Sequence, residues 1–105
     1  MLFRATAMFA ILFLVGCAHW QKTAESWNGH TLQELIAGWG PPESMYAMGD
    51  GRKVALFRHS RLDEGTQLYC NVIINTDASG VIISSKIEGN IGGCNRFFAE
   101  KGPPR

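Results

Sequence analysis

The chain has 105 residues, of which 10 are Lys or Arg and 9 are Asp or Glu, and its formal net charge is +1. This length accommodates one small domain and excludes a cofactor-binding domain beside a substrate domain. The balanced charge provides no basic surface for phosphate groups, so we predict that nucleic acid is not a partner.

The first sixteen residues have the composition of a signal peptide. Arg4 precedes an uncharged, largely apolar run from Ala5 to Val15, which is shorter than the ~20 residues that a membrane-spanning helix needs. This pattern predicts export of the chain and removal of residues 1–16.

The end of this segment, Leu14-Val15-Gly16-Cys17, resembles the lipobox of bacterial lipoproteins. The resemblance implies cleavage after Gly16, lipidation of the Cys17 thiol and acylation of the new amino terminus, for example with palmitate. Several acyl chains anchor a protein firmly, because each buried methylene contributes about 0.8 kcal/mol. The residue after the lipidated cysteine is Ala18 and not Asp. By the same resemblance, this implies sorting to the outer membrane, with the domain facing the periplasm. The alternative is an ordinary secretory cleavage that leaves Cys17 as a free thiol.

Two cysteines remain once Cys17 is assigned to the lipid. In an oxidising compartment Cys70 and Cys94 are predicted to form a disulfide. This disulfide would close a loop of roughly 25 residues, and closing such a loop stabilises a domain by about 3 to 4 kcal/mol through the lost entropy of the unfolded chain. The alternative is a pair of thiols with a redox or metal-binding role. No C-x-x-C motif is present. The three histidines, His19, His30 and His59, lack the spacing of metal ligands. We therefore predict no metal and no cofactor.

The polar segment 17–28 contains Trp20 and Trp27 and is predicted to be a flexible tether to a domain at residues 29–100. Trp20 is expected at the lipid headgroups, where amphipathic rings settle, although both tryptophans have the alternative of packing on the domain. For Trp27 we favour packing. Residues 101–105 contain Gly-Pro-Pro and are predicted to be a disordered tail.

One helix is predicted over residues 31–39. Thr31 and Glu34 have the spacing of a capping box, and Gly40 is followed by two prolines that end the helix. Apolar residues recur at helical spacing; they are Leu32, Leu35, Ile36 and Trp39. Three turns of helix are not stable alone in water, so the apolar stripe is expected to pack on a sheet.

Strand-like runs follow the helix at residues 44–48, 53–59, 67–75 and 81–88. Turn residues separate them at 49–51 and 76–80, and a polar loop is predicted at 60–66. The short connections favour an antiparallel meander. The predicted fold is therefore α+β, with one short N-terminal helix on a three- to four-stranded meander sheet and a disulfide that ties the C-terminal segment to the sheet.

Alternation within the strands predicts which side chains are buried. Leu68, Cys70, Val72 and Ile74 share one face of their strand, and Tyr69 and Ile73 lie on the other. Val81, Ile83 and Ile87 share a parity in the following strand.

No arrangement of residues supports catalysis. His59 and Ser60 are neighbours on a strand, so their side chains point to opposite faces. Asp63 and Glu64 lie in the polar loop, where no burial would raise a carboxyl pKa. The glycine-rich segment 89–93 lacks the Lys and the long helix of a phosphate loop. We predict that the chain is not an enzyme and has no small-molecule substrate.

A candidate binding surface comprises Tyr69, Ile73 and Arg61. A single short helix covers one face of a sheet, which leaves Tyr69 and Ile73 free to dock an envelope protein, unless the tether or the C-terminal turn covers them. The alternative function is inhibition of a lysozyme or another cell-wall hydrolase, with the loop 60–66 presenting the charges of Arg61, Asp63 and Glu64.

Residues 31–88 carry a resemblance to a known family. The helix ends in Trp39-Gly40-Pro41-Pro42, and Tyr46, the turn Asp50-Gly51, the strand Val54 to Phe57 and the hairpin Asp77 to Ile82 follow. With the lipobox and the polar tether, this order resembles the SmpA/OmlA (BamE-like) lipoproteins. The resemblance implies helices against a three-stranded antiparallel sheet and an accessory role in outer-membrane β-barrel assembly. The chain departs from the family in its single predicted helix and in the Cys70 and Cys94 pair.

Overall fold

The computed structural model describes residues 19–105. The predicted signal peptide, the lipobox and the lipidation site Cys17 lie outside the described residues. Within residues 19–105 the chain is α+β with a four-stranded sheet, as predicted, but it has three helices where one was predicted. The elements are α1 (residues 19–25), α2 (Leu32–Trp39), β1 (Ser44–Ala47), β2 (Lys53–Asp63), β3 (Thr66–Thr76), β4 (Ile82–Gly89) and α3 (Ile91–Glu100).

The sheet is an open antiparallel meander in the order β1-β2-β3-β4, which confirms the predicted topology. The polar loop predicted at 60–66 is wrong. Strands β2 and β3 stay paired up to Asp63 and Thr66, and the connection is a two-residue turn with positive φ at both Glu64 (49°) and Gly65 (80°). Such a turn matches the twist of a hairpin, so the ladder continues through charged residues that composition alone assigns to a loop.

The parity predicted for the last strand is also wrong. The pairing of β3 with β4 shifts between Asn75 and Thr76, which pair with Ser84 and Ile82. Ile83 is the extra residue of this bulge and is exposed, whereas Ile82 is buried. A bulge reverses the alternation on its two sides, so Ile82 and Ile87 face the same side although their numbers differ in parity.

Helix α2 has the predicted start. The Thr31 hydroxyl accepts from the backbone N–H of Glu34, and the Glu34 carboxylate accepts from the backbone N–H of Thr31. His30 Nδ1 donates to the same carboxylate at 2.9 Å. These bonds, that from His30 first, hold the pKa of Glu34 below its ordinary value of 4.5, so the capping box carries its negative charge at the positive end of the helix dipole.

The segment assigned to a flexible tether is folded wherever the structure describes it. Residues 19–25 are helical, and Thr23, Ala24 and Trp27 are buried. The expectation that Trp27 packs on the domain agrees with its position. The domain begins before residue 29, because apolar contacts of Ala24 and Trp27 with residues distant in sequence hold α1 in place.

The first two residues of the C-terminal tail contact the domain. The carbonyl oxygen of Gly102 accepts from the indole N–H groups of Trp27 and Trp39, both at 3.0 Å, and Lys101 Nζ donates to the Trp39 carbonyl at 2.7 Å. Gly-Pro-Pro ends the regular structure of α3, but these bonds fix the following backbone. The bonds place Lys101 and Gly102 on the domain, whereas the prediction assigned all of residues 101–105 to a disordered tail.

A single apolar cluster contains buried side chains from the helices and from one face of the sheet. The ring of Trp39 lies 5.3 Å from that of Phe57 and 5.4 Å from that of Phe97, both edge to face. The largest wholly buried apolar side chains come from α2 and from strands β3 and β4; they are Leu35, Val72, Ile74 and Ile82. We call the face of the sheet that carries this core the core face, and the opposite face the open face.

Candidate binding surface and the disulfide

Strand β3 carries the residues that separate the two faces. Cys70, Val72 and Ile74 are buried on the core face, as the alternation predicts. Tyr69 is 42% exposed and Ile73 is half-buried, and both lie on the open face. The structure thus brings together two of the three residues predicted to form a binding surface.

Arg61 lies on the other side of the sheet. It pairs with Leu68, which shares the face of Cys70, because directly opposed residues of an antiparallel pair project to the same side. Arg61 is exposed there, beyond the buried core residues. The prediction placed it in a loop, where a strand's alternation does not apply, and its grouping with Tyr69 and Ile73 is therefore wrong.

The open face carries further apolar side chains that the sequence analysis did not select. Tyr46 and Leu62 are each 68% exposed. Val54, which pairs with Tyr46, and Leu56, which pairs with Ile73, lie between them and are half-buried. None of the open-face side chains on the described strands is fully buried. Applying the two-residue alternation to residues 53–63 as one strand would have placed Val54, Leu56 and Leu62 on one face.

Hydrogen bonds between neighbouring strands fill the spaces between these apolar groups. Asn75 Nδ2 donates to Ser84 Oγ at 3.1 Å, and Arg58 Nε donates to Asn71 Oδ1 at 3.0 Å. Near the hairpin end, Gln67 Nε2 donates to the Ser60 hydroxyl. The polar groups satisfy one another across the ladder, so the open face is a mosaic of paired polar groups and apolar patches.

Charges on the open face compensate one another. Arg58 Nε lies 3.5 Å from Glu43 Oε2, and Lys86 Nζ lies 3.1 Å from Glu88 Oε1. All four side chains are about half exposed or more, and such pairs contribute little to stability. Their effect on recognition is to leave no strong charge of either sign on this face.

The predicted disulfide is present between Cys70 of β3 and Cys94 of α3, with a Cα–Cα distance of 4.8 Å. It ties the C-terminal helix to the core face of the sheet. Gly93 permits this approach, because a Cβ at that position would overlap the backbone of Tyr69. Residues 91–93 of the glycine-rich segment form the start of the ten-residue helix α3.

Asn90 closes the edge of β3 where β4 ends. Its backbone N–H donates to the carbonyl of Tyr69, its side-chain N–H donates to the carbonyl of Gln67, and its Oδ1 accepts from the backbone N–H of Tyr69. The same Oδ1 accepts from Gly93 N at the start of α3. One side chain therefore both caps the helix and replaces a missing strand beside Tyr69.

The residues weighed for catalysis do not converge. His59 pairs with Cys70 on the core face, whereas Ser60 pairs with Tyr69 on the open face. Among residues 19–105, no group of three or more His, Cys, Asp or Glu side chains is placed to hold a metal ion. No helix in the same described range is long and apolar enough to cross a membrane.

A surface groove lies on the helix side of the molecule. It has a volume of about 730 Å³ and runs between α2 and the C-terminal residues, with His30, Glu34 and Arg105 on its walls. It shares no lining residue with the open face, so the groove and the candidate binding surface are separate features.

Comparison with known proteins adds no relative. No protein-family model, no curated protein and no solved structure matches the chain.

Proposed function

We propose that the chain is an outer-membrane lipoprotein whose periplasmic domain binds another envelope protein through the open face of its sheet. The open face carries this proposal: Tyr46, Leu62 and Tyr69 are large apolar side chains held exposed on a sheet whose other face is built into the core. The lipobox ending at Cys17 supports anchoring by lipid at the membrane.

The chemistry of the open face describes the partner it would fit. Aromatic and aliphatic side chains dominate the centres of protein interfaces, and paired polar groups surround them. The charges here are already paired within the domain. We therefore propose a partner with an apolar, weakly charged surface. We expect the affinity of the domain for this partner to change little between low and physiological salt.

Cross-linking in intact cells tests this proposal. The lipid-anchored protein is expressed with Tyr69→Arg on the open face or, as a matched control, with Gln33→Arg on the exposed side of α2. We expect one set of cross-linked envelope proteins, identified by mass spectrometry, to be lost with Tyr69→Arg and retained with Gln33→Arg. Equal capture by both variants, or no specific cross-link to the wild type, would refute binding through this face.

The resemblance to the SmpA/OmlA lipoproteins makes the proposal more specific. Under that resemblance the partner is a subunit of the β-barrel assembly machinery, and deletion of the gene lowers outer-membrane protein levels and raises permeability. Unchanged outer-membrane proteins in the deletion strain, together with cross-links to a different complex, would retain the binding role and reject the assembly role.

The β2–β3 hairpin favours a second candidate function. Residues 60–67 form a paired hairpin end with mostly exposed side chains, and Arg61 and Glu64 are exposed on it. A projecting hairpin of this kind would enter the cleft of a cell-wall hydrolase and inhibit it. We expect micromolar lipid-free domain to slow lysozyme if this function is correct, and Arg61→Ala to weaken the inhibition more than Arg52→Ala in the distant β1–β2 turn.

A further inference from the structure

We infer that the lipid anchor holds the domain directly against the membrane by its helix side, with Trp20 and Ile91 at the lipid headgroups and the open face turned away from the bilayer. This inference rests on the proposed function, because it requires lipidation of Cys17. The observation that carries it is the short stretch of sequence between that cysteine and the folded domain.

Only Ala18 separates Cys17 from the first described residue of helix α1. Two residue steps span at most about 7 Å. The headgroup region on each side of a bilayer is about as thick, since a hydrocarbon core of about 30 Å lies within a total of about 40 to 45 Å. If Cys17 is acylated, the start of α1 therefore stays at the membrane surface.

Helix α1 does not swing as a separate tether, because its residues are built into the domain. Ala24 is wholly buried, Thr23 is nearly so, and Trp20 packs against the core. The indole N–H of Trp20 donates to Asn95 Oδ1 of α3 at 2.9 Å. The anchor thus constrains the orientation of the whole domain as well as its distance from the membrane.

The residues beside Trp20 suit a lipid interface. Ile91 lies one helical turn before Asn95, on the same side of α3, and is 57% exposed. Trp20 is partly exposed, with an apolar ring and a polar N–H, which is the chemistry that settles at headgroups. Apolar rather than cationic contact is expected, so zwitterionic lipid suffices.

The position of α3 relative to the sheet decides what remains free. Cys94 and Phe97 of α3 are buried on the core face, so the exposed side of this helix and the open face lie on opposite sides of the sheet. A membrane against Trp20 and Ile91 therefore leaves Tyr69 and Ile73 accessible from the periplasm.

Tryptophan quenching tests the inference on the full mature protein. Lipidated protein purified from cells is reconstituted in phosphatidylcholine vesicles whose acyl chains are brominated near the headgroups. We expect the bromolipid to quench part of the tryptophan emission, and Trp20→Phe to abolish most of that quenching because Trp27 and Trp39 are buried. A ten-residue Gly-Ser insertion between Ala18 and His19 should reduce the quenching towards the level of Trp20→Phe.

A pair of isoleucine variants checks the orientation. Ile91→Asp and Ile83→Asp each change an exposed isoleucine, 57% and 52% exposed, but only Ile91 lies beside Asn95. We expect Ile91→Asp to reduce the quenching and Ile83→Asp to leave it unchanged. Absence of quenching in lipidated wild-type protein, or quenching that is insensitive to the insertion, would overturn the inference.

Mass spectrometry of the purified protein separates this failure from that of the proposed function. Protein without acyl chains on Cys17 would overturn both. Lipidated protein that captures its partner through Tyr69 but shows no quenching would overturn the membrane orientation alone.

Discussion

The two faces of strand β3 are made from alternate side chains of the same eleven residues, but they are stabilised in different ways. On the core face, Cys70, Val72 and Ile74 are wholly buried and a covalent bond joins the strand to α3. On the open face, Asn71 and Asn75 bond to side chains of neighbouring strands. Ile73 lies half-buried between them, and Tyr69 is exposed beside Asn71. Close packing of buried side chains stabilises the core face, and hydrogen bonds between pairs of side chains stabilise the open face.

This difference separates stability from binding along one strand. Large changes in the free energy of unfolding are expected where a substitution creates a cavity or a clash, or removes a disulfide. The polar ladders keep the open face in solution while its apolar groups stay accessible. Substitutions on the core face should therefore unfold the domain, and those on the open face should alter capture of a partner.

Trp39→Ala should give the largest effect. The indole is 4% exposed, contacts four aromatic rings and donates to Gly102. We expect a loss of about 3 to 5 kcal/mol in the free energy of unfolding, measured by urea titration. Tyr46→Ala, at a ring 68% exposed on the open face, should change it by less than about 0.5 kcal/mol. Similar losses for both would remove the distinction between the faces.

Gly93→Ala should destabilise the domain by about 3 kcal/mol or more, near the upper end of what overpacking costs. The added methyl group would overlap backbone atoms of Tyr69, which cannot move aside without shifting β3. Gly92→Ala is the control, because its methyl group would meet only the end of the Leu68 side chain and would gain helix propensity. Equal denaturation midpoints for the two variants would show that α3 does not approach the sheet as closely as described.

The features that sequence predicts well are local. The capping box of Thr31 and Glu34 depends on residues three apart, and the alternation in β3 depends on one strand. Even the disulfide follows from a count, since two cysteines remain after Cys17. Each of these predictions requires no knowledge of what lies across the fold.

The features that sequence misses depend on contacts distant in the chain. The segment from Arg61 to Glu64, with three charged residues, reads as a loop, but pairing with β3 extends the strand to Asp63. The bulge at Ile83 is set by the register of two strands, and it moves Ile82 into the core. Helix α1 is held by apolar contacts of Ala24 and Trp27. Gly102 is held because its carbonyl accepts from Trp27 and Trp39, 75 and 63 residues away.

The disulfide provides a third comparison within the core face. Cys70→Ser should lower the free energy of unfolding by about 2 to 4 kcal/mol under oxidising conditions. Wild-type protein with reductant should show the same loss, because both states lack the cross-link that ties α3 to β3. A midpoint unaffected by either treatment would show that apolar packing alone holds α3 on the sheet.

Glu64→Asn should stabilise the end of the β2–β3 hairpin, whose side chains are mostly exposed. Glu64 adopts φ 49°, a region that costs a residue with a long side chain about 1 kcal/mol and that Asn tolerates. We expect a gain of up to about 1 kcal/mol. Glu64→Gln removes the charge and retains the unfavourable conformation, so it should give no gain. Stabilisation by both substitutions would assign the effect to charge.

The β3–β4 turn differs from the β2–β3 hairpin turn. Hydrogen bonds to the Asp77 side chain stabilise it. Asp77 Oδ1 accepts from Ser79 Oγ, from Val81 N and from Ser79 N. These bonds, that from the Ser79 hydroxyl first, hold the pKa of Asp77 below its ordinary value of 3.8. The ionised form is therefore favoured by folding, and its contribution to stability is present at neutral pH and is lost as the pH falls through the folded pKa.

Asp77→Asn isolates that charge, since the amide oxygen still accepts hydrogen bonds. Wild-type protein should be modestly more stable than the variant at pH 7, and the difference in urea midpoint should shrink steadily below pH 4. Other carboxylates titrate in both proteins and cancel in the difference. A difference that is constant from pH 7 to pH 2.5 would show that the Asp77 charge has no part in holding the turn, which would then depend on geometry alone, as the Glu64-Gly65 turn does.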